Sequence, residues 1–358
     1  MTTFDSQTTA DPVLSVEDLT VKFPSDDGLV QAVRGVSYQL GRGEVLGVVG
    51  ESGSGKSVTS MAIMGLLPRT ARVEGTINFK GRDLLKLSEK EMTRVRGSGI
   101  AMVFQDPMTS LNPVYAVGDQ IAEAITAHHD VRKDVARKQA VELLDLVKIP
   151  NPQQRATEYP HQLSGGMRQR VVIAIAIANR PEVIIADEPT TALDVTVQAQ
   201  VLDALQAAKQ ETGAAMVLIT HDLGVIAGQA DRVQVMYAGK VVEAGTVDDI
   251  FYTPRMPYTL GLLGSLPRLD IKTDRLTPIA GSPPSVVNMP PGCPFSPRCP
   301  LAAEICEKEE PSLEPTTDGL HVSACHFRDE LAGREPTDLF NPTSVDDAEA
   351  VAAGEKNE

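Results

Sequence analysis

The sequence predicts an α/β fold: a mixed-sheet core, a small antiparallel sheet beside it, a helical insertion and a C-terminal extension that carries cysteines. Three observations predict the core. The apolar run Val45 to Val49 leads into GESGSGKS and then a helix-like stretch from Val58 to Met64; Val183 to Ala186 ends abruptly in Asp187-Glu188; and Met216 to Thr220 ends in His221-Asp222. Apolar runs too short for ordinary helices and bounded by turn or charged residues read as buried parallel strands.

Composition sets the limits. A chain of 358 residues with 42% hydrophobic content supports a large domain plus an appendage. A formal net charge of −15 argues against general affinity for nucleic acid or anionic lipid. The longest wholly apolar run, Val171 to Ala178, is flanked by Arg168, Arg170 and Arg180 and is too short to cross a bilayer as a helix. The opening MTTFDSQTTADPV has no basic start followed by an apolar stretch. The expected setting is therefore the reducing cytoplasm, in solution or against a membrane.

The first strand ends in the pattern G-x-x-x-x-G-K-S. Its glycines allow backbone N–H groups to curl around phosphates at a helix N-terminus. The residues expected to hold a nucleotide are Gly50, Glu51, Ser52, Gly53, Ser54, Gly55, Lys56, Ser57 and Val58, with Lys56 on the β and γ phosphates and Ser57 on Mg²⁺. Asp187, at the carboxyl end of its strand, is placed to hold Mg²⁺ through water, and Glu188 to orient or deprotonate an attacking water. His221 ends a third strand at the same edge; alone, such a histidine is usually only a strand-end residue.

A second anion-binding turn, Leu163-Ser164-Gly165-Gly166-Met167, opens a helix-like run more than a hundred residues after the first. One nucleotide has a single γ phosphate to offer two such turns. Here the sequence resembles the ATP-binding-cassette family, over roughly residues 13 to 250. The resemblance rests on the loop 50 to 57, Gln105 after Ile100 to Phe104, LSGG at 163 to 166, Asp187-Glu188, Thr191-Ala192-Leu193-Asp194 and His221. It implies a head-to-tail dimer in which each nucleotide lies between the glycine loop of one copy and the LSGG turn of the other. By position, Gln105 resembles the glutamine that touches Mg²⁺ and water, His221 the histidine on the γ phosphate, and Asp194 the aspartate that couples the two sites. Phe23 is a candidate for stacking on adenine or for the core. Met167 departs from the glutamine of many relatives, since a thioether cannot reproduce an amide's hydrogen bonds.

Alternation over Val13 to Leu40 and Val73 to Phe79 suggests the small antiparallel sheet. Apolar positions Ile121, Ile125, Leu143, Leu144 and Val147 suggest helices where the family inserts the subdomain that docks on membrane subunits. Beyond about residue 251, repeated prolines mark irregular chain, followed by Cys293-x5-Cys299-x6-Cys306-x18-Cys325-His326. Four clustered thiols in a reducing compartment favour a metal or an iron–sulfur cluster over disulfides. Zinc ribbons show two close cysteine pairs, absent here, which tilts the reading to a [4Fe–4S] cluster, with Zn²⁺ or unliganded thiols as alternatives. His321 and His326 read as surface histidines in reserve as ligands.

Gly281 to Pro284 and Cys293 to Ala302 closely resemble the C-terminal extension of oligopeptide and dipeptide permease ATPase subunits, which also favours a structural [4Fe–4S] cluster. Expected boundaries are a flexible N-terminus at 1–12, the nucleotide-binding domain at 13–250 with its helical subdomain at about 110–165, the extension at 251–330, and a disordered acidic tail at 331–358. The resemblance implies a peripheral ATPase on the cytoplasmic face of the membrane, using Mg-ATP. Its expected partners are a homologous ATPase, two transmembrane permease subunits and an extracytoplasmic binding protein, with no nucleic acid. The cargo would be di- or oligopeptides, with nickel, glutathione or another small solute as alternatives. A soluble cassette ATPase of DNA repair or translation would need a long coiled-coil insertion, tandem cassettes or a basic surface, and none is present in the sequence.

Overall fold

The structure, a computed structural model, describes residues 12–25, 28–266, 279–285, 287, 289–316 and 321–340. Its strands in chain order are β1 (Leu14–Ser25), β2 (Gly28–Leu40), β3 (Val45–Val49), β4 (Arg72–Phe79), β5 (Arg82–Asp83), β6 (Ile100–Val103), β7 (Val183–Asp187), β8 (Ala215–Thr220), β9 (Arg232–Tyr237), β10 (Lys240–Thr246), β11 (Glu314–Pro315) and β12 (Val322–Ser323). One sheet is four-stranded and antiparallel, in the order β2-β1-β4-β5. The other is mixed, in the order β11-β12-β10-β9-β3-β8-β7-β6, with β9, β3, β8, β7 and β6 mutually parallel.

The parallel strands β3 and β6, and β7 and β8 up to their last residues Asp187 and Thr220, are apolar because both faces are covered. Val45 and Val49 of β3, Ile184 and Ala186 of β7, and Met216 and Leu218 of β8 enter one core, shared with the helices Gly165–Ile177 and Val195–Thr212. Their neighbours Leu46, Val48, Val183, Ile185, Val217 and Ile219 face the other core, which the antiparallel sheet closes with Leu14, Val16, Leu40 and Ile77. The predicted α/β class, with its mixed sheet, antiparallel sheet and helices, is the observed one.

Helices Val117–Thr126, Lys133–Leu146 and Pro152–Arg155 form the layer beyond Gln105. Val117, Ile121 and Ile125 form one buried stripe, and Ala136, Ala140 and Leu144 another, each repeating every four residues. Among the described residues, no helix is long and apolar enough to cross a membrane.

Two features go beyond or against the sequence expectation. The extension does not carry a separate core: Cys293, Phe295, Cys306, Ala324, Cys325 and Leu331 join the cluster that contains β3 and β7, and β12 pairs with β10 at the sheet edge. Residues 331–340, assigned to a disordered tail on composition, are ordered. A short helix, Pro336–Leu339, brings Phe340 to 6% exposure beside Gly261 of the helix Pro257–Gly264. One buried aromatic anchors a segment whose polar average hides it. Residues 341–358 of the expected tail, and 1–11 of the expected flexible N-terminus, lie outside the described residues.

Phe340→Ala is expected to lower stability to urea by about 3 kcal/mol, because the ring leaves a cavity in the main core. An exposed surface control, Tyr252→Ala, should change it by less than about 1 kcal/mol.

Candidate functional site

Register places the chemistry. Val49 of β3 pairs with Thr220 of β8, Ile219 with Asp187 of β7, and Ala186 with Val103 of β6, so the carboxyl ends of four parallel strands meet at one sheet edge. The next residues along each chain are the 50–57 loop, Gln105, Glu188 and His221. Ligands of open α/β sheets bind at this edge.

The loop needs its glycines. Gly50 has φ +154° and a Cβ there would stand 2.2 Å from the Met236 carbonyl oxygen; Gly55, at φ +100°, would meet the Ala32 carbonyl at 2.7 Å. Gly55 opens the helix Lys56–Ile63, whose first N–H groups need acceptors. Lys56 is buried, and its Nζ donates to the carbonyls of Gly50 (2.7 Å) and Glu51 (2.9 Å) and to Ser54 Oγ (3.3 Å). Burial pulls its pKa below the ordinary lysine value, against the opposing fields of Glu188, Asp187 and Glu51. A buried ammonium held only by neutral oxygens is primed for an anion.

Ser57 Oγ donates to Asp187 Oδ1 at 2.9 Å. Burial raises the Asp187 pKa, with a further push from Glu188, although Ser57 and Lys56 oppose it. Glu188 Oε2 accepts from Gln105 Nε2 (3.1 Å) and Thr191 Oγ1 (2.8 Å), and His221 Nδ1 lies 3.4 Å away. Glu188 itself sits in the left-handed region at φ 48°. That strained conformation turns its carboxylate off the strand while its N–H still donates to the Ile219 carbonyl. The Thr191 contact with Glu188 and this strain were not read from the sequence, where Thr191 entered only as the first residue of the 191–194 motif.

The remaining predicted residues lie as follows. Ser164 caps the helix Gly165–Ile177, accepting from the Met167 N–H at 3.4 Å, and the exposed Ser164-Gly165 turn faces outward from a buried Leu163. Gly166 is forced by packing, since its Cβ would fall 2.2 Å from Val197 Cγ1. Asp194 caps the helix Val195–Thr212 by accepting from the Val197 N–H at 3.0 Å. The half-buried Phe23 lies opposite Val30 and packs against the core of the antiparallel sheet, as Val58 does.

The four cysteines come together. Cys293, Cys299, Cys306 and Cys325 line one narrow cavity walled by Met256, Phe295, Leu301 and Phe327. Burial raises the Cys293 thiol, pushes Cys299 up to about 11 and Cys325 up to about 12. Among the described residues, no three His, Cys, Asp or Glu side chains form a group ready to hold a metal ion. One of the two histidines differs from expectation. His321, expected at the surface, is 1% exposed, and its Nε2 lies 2.7 Å from Oε1 of the equally buried Glu243. His326 borders the cysteine cavity with Nε2 3.0 Å from the Glu309 carbonyl. Sequence reasoning also missed Arg298, which bonds the Glu51 carboxylate twice, at 2.7 and 2.9 Å.

A glycine loop with a buried lysine, a serine bonded to a strand-end aspartate, and a following glutamate define a P-loop nucleotide-binding protein. A model of the ABC transporter family matches residues 33–191, and one of the oligopeptide/dipeptide transporter C-terminal region matches 242–306. The chain is 54% identical to the dipeptide transport ATP-binding protein DppD of Bacillus subtilis, covering 89% of this chain and 96% of that protein. It is 50% identical to the oligopeptide transport ATP-binding protein OppD of Escherichia coli, covering 89% and 94%. With OppD of Mycobacterium tuberculosis it shares 55% identity over 95% of its own length, and spans 57% of that longer relative. Among solved structures, it matches the dimeric post-hydrolysis state of the ATP-binding cassette MJ0796 bound to ADP and Pi, with TM-score 0.59 and 29% identity over 65% of this chain and 98% of that one. The chain belongs to the ABC transporter family of ATP-binding proteins, in its oligopeptide/dipeptide branch.

Because folding raises the Asp187 pKa, the fold favours the protonated acid. That stabilising contribution is complete below the unfolded value of 3.8 and is lost as pH rises through the folded value. At neutral pH the ionised carboxylate therefore costs stability. Asp187→Asn should unfold at a higher temperature than the parent at pH 7 without nucleotide or Mg²⁺, with the gain vanishing below about pH 4. Thermal scans across pH check this.

Proposed function

We propose that the chain binds Mg-ATP and hydrolyses it as the ATPase subunit of an importer that takes up di- or oligopeptides through membrane permease subunits. The observation that carries this reading is Glu188. Its carboxylate is held by Gln105, Thr191 and His221 at the strand edge where Lys56 and Ser57 would hold a γ phosphate. There it is positioned to take a proton from an attacking water, while Gln105 and His221 fix its direction.

The Ser57 hydroxyl and Asp187 carboxylate supply the oxygen donors that suit Mg²⁺, which would neutralise charge on the β and γ phosphates. Lys56 would move from its carbonyl partners to the phosphates. The outward Ser164-Gly165 turn would meet the nucleotide of a homologous second ATPase, with Asp194 at that contact. The 50–54% identical dipeptide and oligopeptide transport ATP-binding proteins support the peptide cargo, and work through permease subunits would place the chain against the inner face of the membrane.

The four thiols fit a [4Fe–4S] cluster of structural role. They line one apolar cavity, and four thiolates are the ligand set that such a cluster uses. Raised thiol pKa values mean that assembly would release protons. Protein purified without oxygen should carry about four irons per chain with broad visible absorption, lost in Cys299→Ser. One zinc and no iron would replace the cluster with a zinc site.

For the catalytic reading, Glu188→Gln should keep nucleotide affinity within about twofold while turnover falls by about 10²-fold or more. The assay is ATP hydrolysis by the complex isolated from membranes with its binding protein, with and without short peptides. Near-normal hydrolysis by the variant would remove Glu188 from the mechanism, and stimulation by nickel or glutathione instead of peptides would change the cargo.

A further inference from the structure

The extension reaches the nucleotide loop at one residue. Arg298, one position before Cys299, has a side chain only 5% exposed, and its guanidinium donates to both oxygens of the Glu51 carboxylate. It also donates to Tyr237 Oη (3.3 Å) and to the carbonyls of Ala280 (3.0 Å) and Ile279 (3.4 Å). Burial alone would lower its pKa, but Glu51 and Tyr237 hold it above the ordinary arginine value, so it stays charged. Glu51 is in turn fixed along its backbone. Its N–H donates to Tyr258 Oη at 2.8 Å, and its carbonyl accepts from Lys56 Nζ and from the Ser54 N–H.

An aromatic trio ties these contacts to the cysteine segment. Phe295, two residues after Cys293, meets Tyr237 edge-on at 5.4 Å and Tyr258 at 5.5 Å, and the two tyrosines lie 4.6 Å apart. The same short segment, 293 to 299, therefore lines the thiol cavity with Cys293, Phe295 and Cys299 and grips the phosphate loop with Arg298.

We infer that Arg298 is a positioning residue of the nucleotide site: by gripping Glu51 it sets the loop for phosphate and cancels a carboxylate that would repel it. The inference rests on the ATP-binding reading above. Both effects act on binding. A like charge close to a polyphosphate costs affinity, and a buried partner is not screened by water. A two-point guanidinium–carboxylate contact also fixes geometry that a single contact cannot. Neither effect touches Glu188, so the consequence is a higher KM for ATP with kcat retained.

The test is equilibrium titration of the purified full chain with a fluorescent ATP analogue and Mg²⁺, with melting temperatures and ATP hydrolysis by the assembled complex alongside. The parent must bind and Lys56→Ala must bind far more weakly; if either fails, the ATP-binding reading itself fails, whatever Arg298 does. Given that, Arg298→Gln should weaken affinity about tenfold and raise KM in step, with kcat within about twofold. Arg298→Lys, which keeps the charge but not the fork, should lose about threefold and decides the matter if the glutamine variant does not fold. Arg298→Gln/Glu51→Gln should bind no more weakly than the worse single variant, because both act through one contact. Unchanged affinity in a folded Arg298 variant, a lower melting temperature without an affinity change, or simple addition of the two single effects would each overturn the inference.

Discussion

The structure depends on the alignment of parallel strands at one end of the mixed sheet. Backbone pairing of Val49 with Thr220, Ile219 with Asp187, and Ala186 with Val103 leaves no freedom in where the next residues stand. A slip of one residue in any of these pairings would turn its apolar set out of its core. The cores that flank the sheet therefore hold the loop, Gln105, Glu188 and His221 in mutual register. Site precision here is a by-product of hydrophobic burial on both sheet faces, which is why a short apolar run leads to the loop, Gln105, Glu188 and His221.

Against that stable frame, the site itself is held in unfavourable states. Lys56 is a buried cation on neutral acceptors, Asp187 a buried acid that burial favours as neutral, and Glu188 a non-glycine residue in left-handed conformation. A polyphosphate with its metal would relieve the first two, while the third is a backbone strain that the fold maintains. Conflicts between local preference and global fold concentrate where function requires them.

Legibility followed sequence distance. The phosphate loop, the strand-end acids and the second glycine turn could be read because each is a local pattern with a local cause: a turn, a helix start, an apolar run. Arg298 and Glu51 are 247 positions apart, and His321 and Glu243 are 78 apart. No periodicity links such pairs, so Arg298 drew no reading of its own within the stretch Cys293 to Ala302, and His321 read as a surface residue. The segment to Phe340 was misjudged for a related reason, since average polarity says little when one ring supplies the anchor. The shared core of extension and nucleotide domain was hidden in the same way, because irregular, proline-rich chain gives no face to read.

How two-residue strands hold that extension in place follows from its buried polar groups. β12 pairs with β10 only at Ser323 with Glu243 and Val322 with Ala244, with one further bond from the Ala324 N–H to the Val242 carbonyl at 2.8 Å. So short a ladder fixes register weakly. His321 on Glu243, the Arg255 N–H on the same carboxylate, and Ser323 Oγ on the Arg255 carbonyl at 2.7 Å add contacts that only one register satisfies. A buried ionisable pair is weak evidence for stability, but a shift here would strand Glu243 at zero exposure without its partner. The pair thus selects among registers. Its register sends Val322 and Ala324 into opposite cores and delivers Cys325 to the cavity shared with Cys293, from which the chain reaches Arg298 and the phosphate loop.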